Sequence, residues 1–297
     1  MFQYIAFVIT QTLIRIIPFW AMYGLCYVNG LIIQYILRYR IKVVSNNLHN
    51  SFPEKSKKEI NKIKRQFYQY FAEMLFEAGK GYNMSRRKLE KRYKVNNPGL
   101  MEEYYNQGTS VILDMAHFNN WEWTTGVFGE IFKHKVFAIY KPLKNKKIDE
   151  YVRKSRERRN YHLVPMKNTG LMFRNITHQP CAFVMISDQS PTQLDKAHWI
   201  DFLNRTTGFL HGPETYARKF GLAVVFAQVL KIKQGYYEIN LIPIADTAND
   251  LPEGHITMRY AQLLEETIKM QTSRWLWSHR RWKKTKPENK ETINISK

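Results

Sequence analysis

The chain has 297 residues, 44% hydrophobic and 14% aromatic, enough for one substantial packed domain and too apolar for a wholly disordered chain. Its 46 Lys and Arg against 25 Asp and Glu leave a formal charge of +21, which directs attention to polyanionic partners: anionic lipid head groups, an acidic protein or nucleic acid. The two cysteines, Cys26 and Cys181, are isolated, so neither a disulfide framework nor a metal cluster is supported, and the polar part of the chain is expected in a reducing compartment.

From Ile16 to Leu37 a 22-residue stretch carries no charged side chain, long enough at about 1.5 Å per residue to cross a hydrocarbon core. Residues 1–43 are therefore read as a hydrophobic membrane anchor. Pro18, Asn29 and Gln34 weaken that reading, and a helix lying in the interface is the alternative. Arg38, Arg40 and Lys42 follow the run at once, which places the C-terminal domain on the cytoplasmic side. Helices are predicted over Val44–Ser51 and Glu59–Gly79. In the second, Ile60, Ile63, Phe67, Tyr70, Phe71, Met74 and Leu75 recur at helical spacing, with Lys57, Lys58, Lys62, Lys64 and Arg65 opposite. That basic face suits anionic lipid as well as it suits plain solvent.

From residue 109 short apolar runs (Ser110–Met115, Val136–Tyr140, Cys181–Ile186, Ala223–Leu230 and Tyr237–Ile242) alternate with helical stretches (Asp149–Arg159, Gly212–Phe220 and Met258–Met270). The alternation predicts an α/β domain over 44–284, with a central, mostly parallel sheet flanked by helices. Residues 285–297 are polar and aperiodic and are read as a flexible tail.

Within VILDMAHFNNWEW, an apolar strand runs straight into His117, with Glu122 five residues later. Five residues turn an ideal helix by about 500°, leaving two side chains ~140° apart, so the pair could not meet in mid-helix. With His117 in the turn and Glu122 in the first turn of the next helix, the carboxylate could orient the imidazole, whose other nitrogen then takes a proton from an alcohol. Spacing alone is weak support; the place at a strand's carboxyl end is stronger.

Four other stretches are candidates for binding. Lys141, in Tyr140-Lys141-Pro142, ends the next strand, and Arg156 or Arg159 in the following helix could add a fork for a phosphate or a carbonyl oxygen, although those helix charges as a set fit a solvated face better. Asp188 and Gln189 end the strand from Cys181 and could hold substrate or cap a turn. Thr207 and Glu214 lie in a stretch of hydroxyls and glycines where a lipid could approach the backbone; loop structure and a helix N-terminus with Pro213 are the alternative. Three Trp interleave with basic residues in WLWSHRRWK, suiting a membrane interface or RNA bases.

Taken in order, the apolar segment, RYRIKVVSNNLHNSFPEKS, the H-x4-E block, YKP, DQSP, the Gly-Pro-Glu helix and WLWSHRRWK resemble the bacterial lipid A biosynthesis acyltransferases, the late enzymes within the lysophospholipid acyltransferase superfamily. The resemblance implies an inner-membrane enzyme with His117 as general base and Glu122 as its orienting acid, needing no cofactor or metal. It implies transfer of an acyl group from acidic acyl carrier protein to a hydroxyl of a lipid A precursor in an anionic membrane. A lysophospholipid, glycolipid or aminolipid acceptor would use the same dyad. A membrane-tethered nucleic-acid binder would leave the strand-His-turn-Glu arrangement without a use, so nucleic acid is not expected as a partner. Two departures stand out: Lys141 replaces the usual Arg of a Tyr-Arg-Pro context and loses its bidentate fork, and Phe202-Leu203-Asn204 replaces a Phe-Phe-Gly or Phe-Leu-Gly element, leaving the backbone there open.

Overall fold

The computed structural model describes residues 1–157, 160–175 and 179–293. The apolar N-terminal segment is not one helix. Helix α1 spans Phe2–Ile16, and α2 spans Phe19–Leu31 and continues through a π-helical turn at Ile32–Ile36. The break falls at Pro18, which has no N–H to donate and forces Ile17 into an extended conformation. Phe19–Ile36 remains long and apolar enough, by length and composition, to cross a membrane.

Helix α3 (Ile41–Ser51) leads to the 25-residue α4 (Lys57–Gly81), which opens on a capping box: Ser56 Oγ accepts from Glu59 N, and the Glu59 carboxylate accepts from Ser56 N. The chain then runs through α5 (Arg86–Glu90), β1 (Tyr93–Val95), α6 (Gly99–Asn106), β2 (Val111–Met115), α7 (Phe128–Ile131), β3 (Lys135–Tyr140), α8 (Lys146–Arg156), β4 (Tyr161–Pro165) and α9 (Thr169–Arg174). It continues with β5 (Cys181–Ile186), β6 (His198–Phe202), β7 (Arg205–Phe209), α10 (Gly212–Phe220), β8 (Ala223–Lys233), β9 (Tyr236–Ala245) and α11 (His255–Met270).

Seven strands form one sheet in the order β1-β9-β8-β2-β5-β3-β4, parallel at every pairing except β8 with β9. This is the flanked, mostly parallel sheet expected. All five residues of β2 are buried, because a central parallel strand is covered on both faces. Strands β6 and β7 form a separate hairpin, joined by Leu203 and Asn204 at φ 50° and 60°. Two consecutive left-handed residues are what a two-residue hairpin turn requires, and Asn204 tolerates that geometry better than most side chains. The departure from a glycine element is thereby accommodated.

The C-terminal segment does not run free from 285. Ile293 N donates to Trp199 O at 2.7 Å, Ile293 bridges to Ile200 of β6, and its partly buried side chain packs against the core there.

Candidate active site

Strands β2 and β5 are parallel neighbours with Met115 opposite Ile186. Two residues beyond each of these, at the carboxyl ends of both strands, stand His117 and Asp188. The strand ends are stitched together by Ser187 N donating to Met115 O at 3.1 Å and by Ser187 Oγ donating to Asp114 Oδ1 at 2.6 Å. The register therefore brings His117 Nδ1 to 2.7 Å from Asp188 Oδ1, while the His117 backbone N–H donates to Asp188 Oδ2 at 3.0 Å. Trp275 Nε1 donates to the same Oδ2 at 2.8 Å.

Glu122 is placed differently from the expected orienting pair. It lies in a 3-10 turn, Trp121–Gly126, which aims its carboxylate towards α8. There Arg156 Nη2 donates to Oε1 at 2.7 Å and to Oε2 at 2.8 Å, and Arg156 Nε donates to Oε2 at 3.1 Å. The residue against His117 Nδ1 is Asp188, 71 positions away in the chain. Arg156, read as a candidate fork for phosphate, spends that fork on Glu122.

Burial pushes the His117 imidazole towards neutrality, but the charge and hydrogen bond of Asp188, with a smaller contribution from Glu122, outweigh it and hold the pKa above its ordinary value. The same contacts work on Asp188. Burial raises its pKa, yet His117, Trp275 and the His117 backbone N–H lower it further, so the carboxyl stays below the usual carboxylate range. With Nδ1–H donating its hydrogen bond to Asp188, Nε2 of the neutral imidazole is left as an acceptor, and the Gln189 amide lies 3.3 Å from it. The Trp121 ring stands edge-on to the imidazole with centroids 5.0 Å apart.

The turn after His117 is clamped from several directions. Asn119, at φ 52°, donates its side-chain amide to Val229 O and Gln271 Oε1, and Tyr70 Oη donates to Asn119 O. Asn120 caps the 3-10 turn by accepting from Trp123 N and donates to Glu77 Oε2 at 2.7 Å. The C-terminal segment closes the other side: Leu276 N donates to His117 O and Asn119 N to Arg274 O. Trp275 and Trp277 are thus buried structural residues, not the exposed interface for lipid or RNA that their basic neighbours suggested.

A cavity of about 530 Å3 opens in front of His117. Glu122, Arg156, Lys141 and Gln189 share its lining, and much of the rest is apolar, including Ile139, Leu163, Val184, Met185 and Leu210. Two candidates lie elsewhere. Thr207 is buried in β7, where its Oγ1 donates to Arg205 O and accepts from Trp282 Nε1. Glu214 is buried and accepts from Gly254 N, Thr257 N, Thr257 Oγ1 and Arg218, so it ties α10 to the first turn of α11. Both serve structure because their polar atoms are used within the protein. Arg159 lies outside the described residues. Trp121, Thr124, Tyr161 and His211 also line the cavity; none stood out in the sequence, since an aromatic or hydroxyl next to a strand end has no spacing of its own.

Over 256 residues the chain is 22% identical to a lipid A biosynthesis acyltransferase of Haemophilus influenzae, covering 84% of this chain and 79% of that one. The family model described as bacterial lipid A biosynthesis acyltransferase matches residues 1–284. With that match over nearly its whole length, the chain belongs to the bacterial lipid A biosynthesis acyltransferase family.

Proposed function

We propose that this protein transfers a fatty acyl group from the thioester of an acyl carrier protein to a hydroxyl of a lipid A precursor, with His117 as the general base. The observation that carries the reading is the His117 imidazole, bonded through Nδ1 to a buried carboxylate and presenting Nε2 at the entrance of an apolar cavity. Nε2 takes the proton of the acceptor hydroxyl, its oxygen bonds to the thioester carbonyl carbon, and the C–S bond then breaks as the imidazolium returns the proton to the leaving thiolate. Asp188 fixes the tautomer and stabilises the imidazolium. Glu122, the acid of the H-x4-E block, adds negative charge across the cavity and is held there by Arg156. The oxyanion is met by Lys141 or by backbone N–H groups of the turn at Trp121–Gly126.

The Gln189 amide occupies the position that the acceptor hydroxyl must take, and displacing a 3.3 Å contact costs little. The apolar walls suit an acyl chain. The net charge of +21 suits both an acidic carrier protein and phosphates of an anionic leaflet. We place the protein at the bacterial inner membrane, attached through its N-terminal segment with the catalytic domain facing the cytoplasm, on the strength of the apolar residues 16–37 and the basic residues that follow. Mass spectrometry of lipid A from cells lacking the protein tests the reading. One acyl chain is expected to be missing, restored by the wild type and not by His117→Ala; a change confined to another lipid class would reassign the acceptor.

A further inference from the structure

The N-terminal helices are fastened to the catalytic domain along their whole length. Lys80 of α4 donates to carbonyls at the end of α1, to Ile14 O at 2.8 Å and Arg15 O at 2.9 Å, and to Ile17 O just beyond it. Phe7 of α1 meets Tyr151 of α8 edge-on with centroids 5.3 Å apart. The Arg92 guanidinium lies 3.7 Å over the Phe19 ring, Met22 and Cys26 are buried with Ala72 of α4, and Gln69 Nε2 donates to Tyr27 O. Beyond the π turn, Tyr68 Oη donates to Tyr39 O and Arg40 donates to Ser278 O. A helix crossing a bilayer is surrounded by hydrocarbon or by other apolar helices. Here the neighbours along one side are a polar domain and α4, whose Glu73 and Glu77 are charged or hydrogen-bonded carboxyls.

The opposite side is exposed and apolar. On α1 it presents Phe2, Ile5, Ile9, Leu13 and Ile16; on α2 and the π turn, Trp20, Val28, Tyr35 and Ile36. Exposed cations flank it at both ends: Lys144, Lys146 and Lys147 near the start of α1, where Lys147 reaches Met1, and Arg38, Arg40, Lys42, Lys57, Lys58 and Arg65 beyond the π turn. Met166, which lines the cavity, and Leu171 of the helix beside it are also exposed.

We propose that residues 2–37 lie flat in one anionic leaflet as a platform locked to the catalytic domain, and do not cross the bilayer. The proposal rests on the membrane attachment inferred above. Its apolar face enters the acyl region while its flanking cations meet lipid phosphates, the arrangement of an interfacial amphipathic structure. The docked form is also the form in which the catalytic turn is complete. The Glu77 carboxylate accepts from Tyr23 Oη of α2 at 2.8 Å and from Asn120 Nδ2, three residues past His117, at 2.7 Å. Pulling α2 away to span the membrane would strip one donor from a buried carboxylate that also holds the turn.

The test is oxidative cross-linking in sealed native membranes of the Ala72→Cys protein, whose new thiol joins native Cys26 in one buried cluster. A second pair, Tyr27→Cys with Gln69→Cys, guards against a local packing defect. Membrane-bound protein that cross-links before detergent is added, and keeps at least half its acyltransferase activity when locked, supports the platform. Membrane-bound protein that cross-links only after solubilisation, with both pairs, overturns it in favour of a spanning helix. Protein absent from the membrane fraction overturns the attachment itself.

Discussion

Whether His117 can accept a proton depends on which ring nitrogen keeps a lone pair, and that is decided by Asp188. The raised imidazole pKa means that the base form is populated only above the ordinary histidine value, so activity should rise with pH through that raised pKa and vanish below it. Asp188→Asn removes the largest influence favouring the imidazolium. Two outcomes are expected together: the acid limb of kcat/KM moves to lower pH, and the plateau falls by about 10²–10⁴-fold, the usual worth of a general base, as the imidazole loses the partner that fixes its tautomer. Glu122→Gln should shift the limb in the same direction by less, since Glu122 acts on His117 through charge alone and is the smaller contributor. pH–rate profiles of the two variants check this; a larger shift for Glu122→Gln would return the orienting role to the H-x4-E acid.

At the scale of elements, the sequence could show where the chemistry sits but not which carboxylate completes it. A fully buried parallel strand reads as a continuous apolar run, so the end of β2, and His117 just past it, were legible. So was the end of β5 at Asp188 and Gln189. That these two ends face each other depends on strand order and register, set by packing between residues 71 positions apart, and no local periodicity encodes it. Short elements were lost for a related reason: β1 has three residues and the β6–β7 hairpin sits outside the main sheet, so neither imposes a long alternating pattern. The WLW segment misled because its tryptophans sit among cations, yet Trp275 closes over Asp188. Trp275→Phe keeps an aromatic ring, removes the N–H and leaves a small void at a buried site. It should lower stability by about 1.5–3 kcal/mol, the usual value of a hydrogen bond to a charged group, read from a lower urea midpoint at unchanged slope. A loss under about 0.5 kcal/mol would mean that solvent or another donor serves Asp188 equally well.

At the scale of the whole molecule, the charge of +21 is unevenly used, and its distribution bears on how the enzyme meets its lipid. Lys57, Lys58, Lys62, Lys64 and Arg65 line a groove with Gln34, Tyr35 and Ile41, where the π turn joins the body of the protein. Cations held beside an apolar surface add roughly 1 kcal/mol each to binding an anionic leaflet, and the attraction fades over a Debye length of about 8 Å at physiological salt. Replacing Lys57, Lys58, Lys62 and Arg65 with Gln removes four charges far from His117. Affinity for phosphatidylglycerol-containing vesicles should then fall by about 10²–10³-fold at physiological salt, while affinity for purely zwitterionic vesicles, which rests on the apolar face, changes little. The wild type should lose the same increment as salt is raised, and the variant should lose less of it. Turnover of acceptor dispersed in detergent should be unchanged, because none of the four side chains lines the cavity at His117. Vesicle flotation across a salt series measures all of this; equal losses on anionic and zwitterionic vesicles would show that these cations stabilise the fold around α4 and not its contact with lipid.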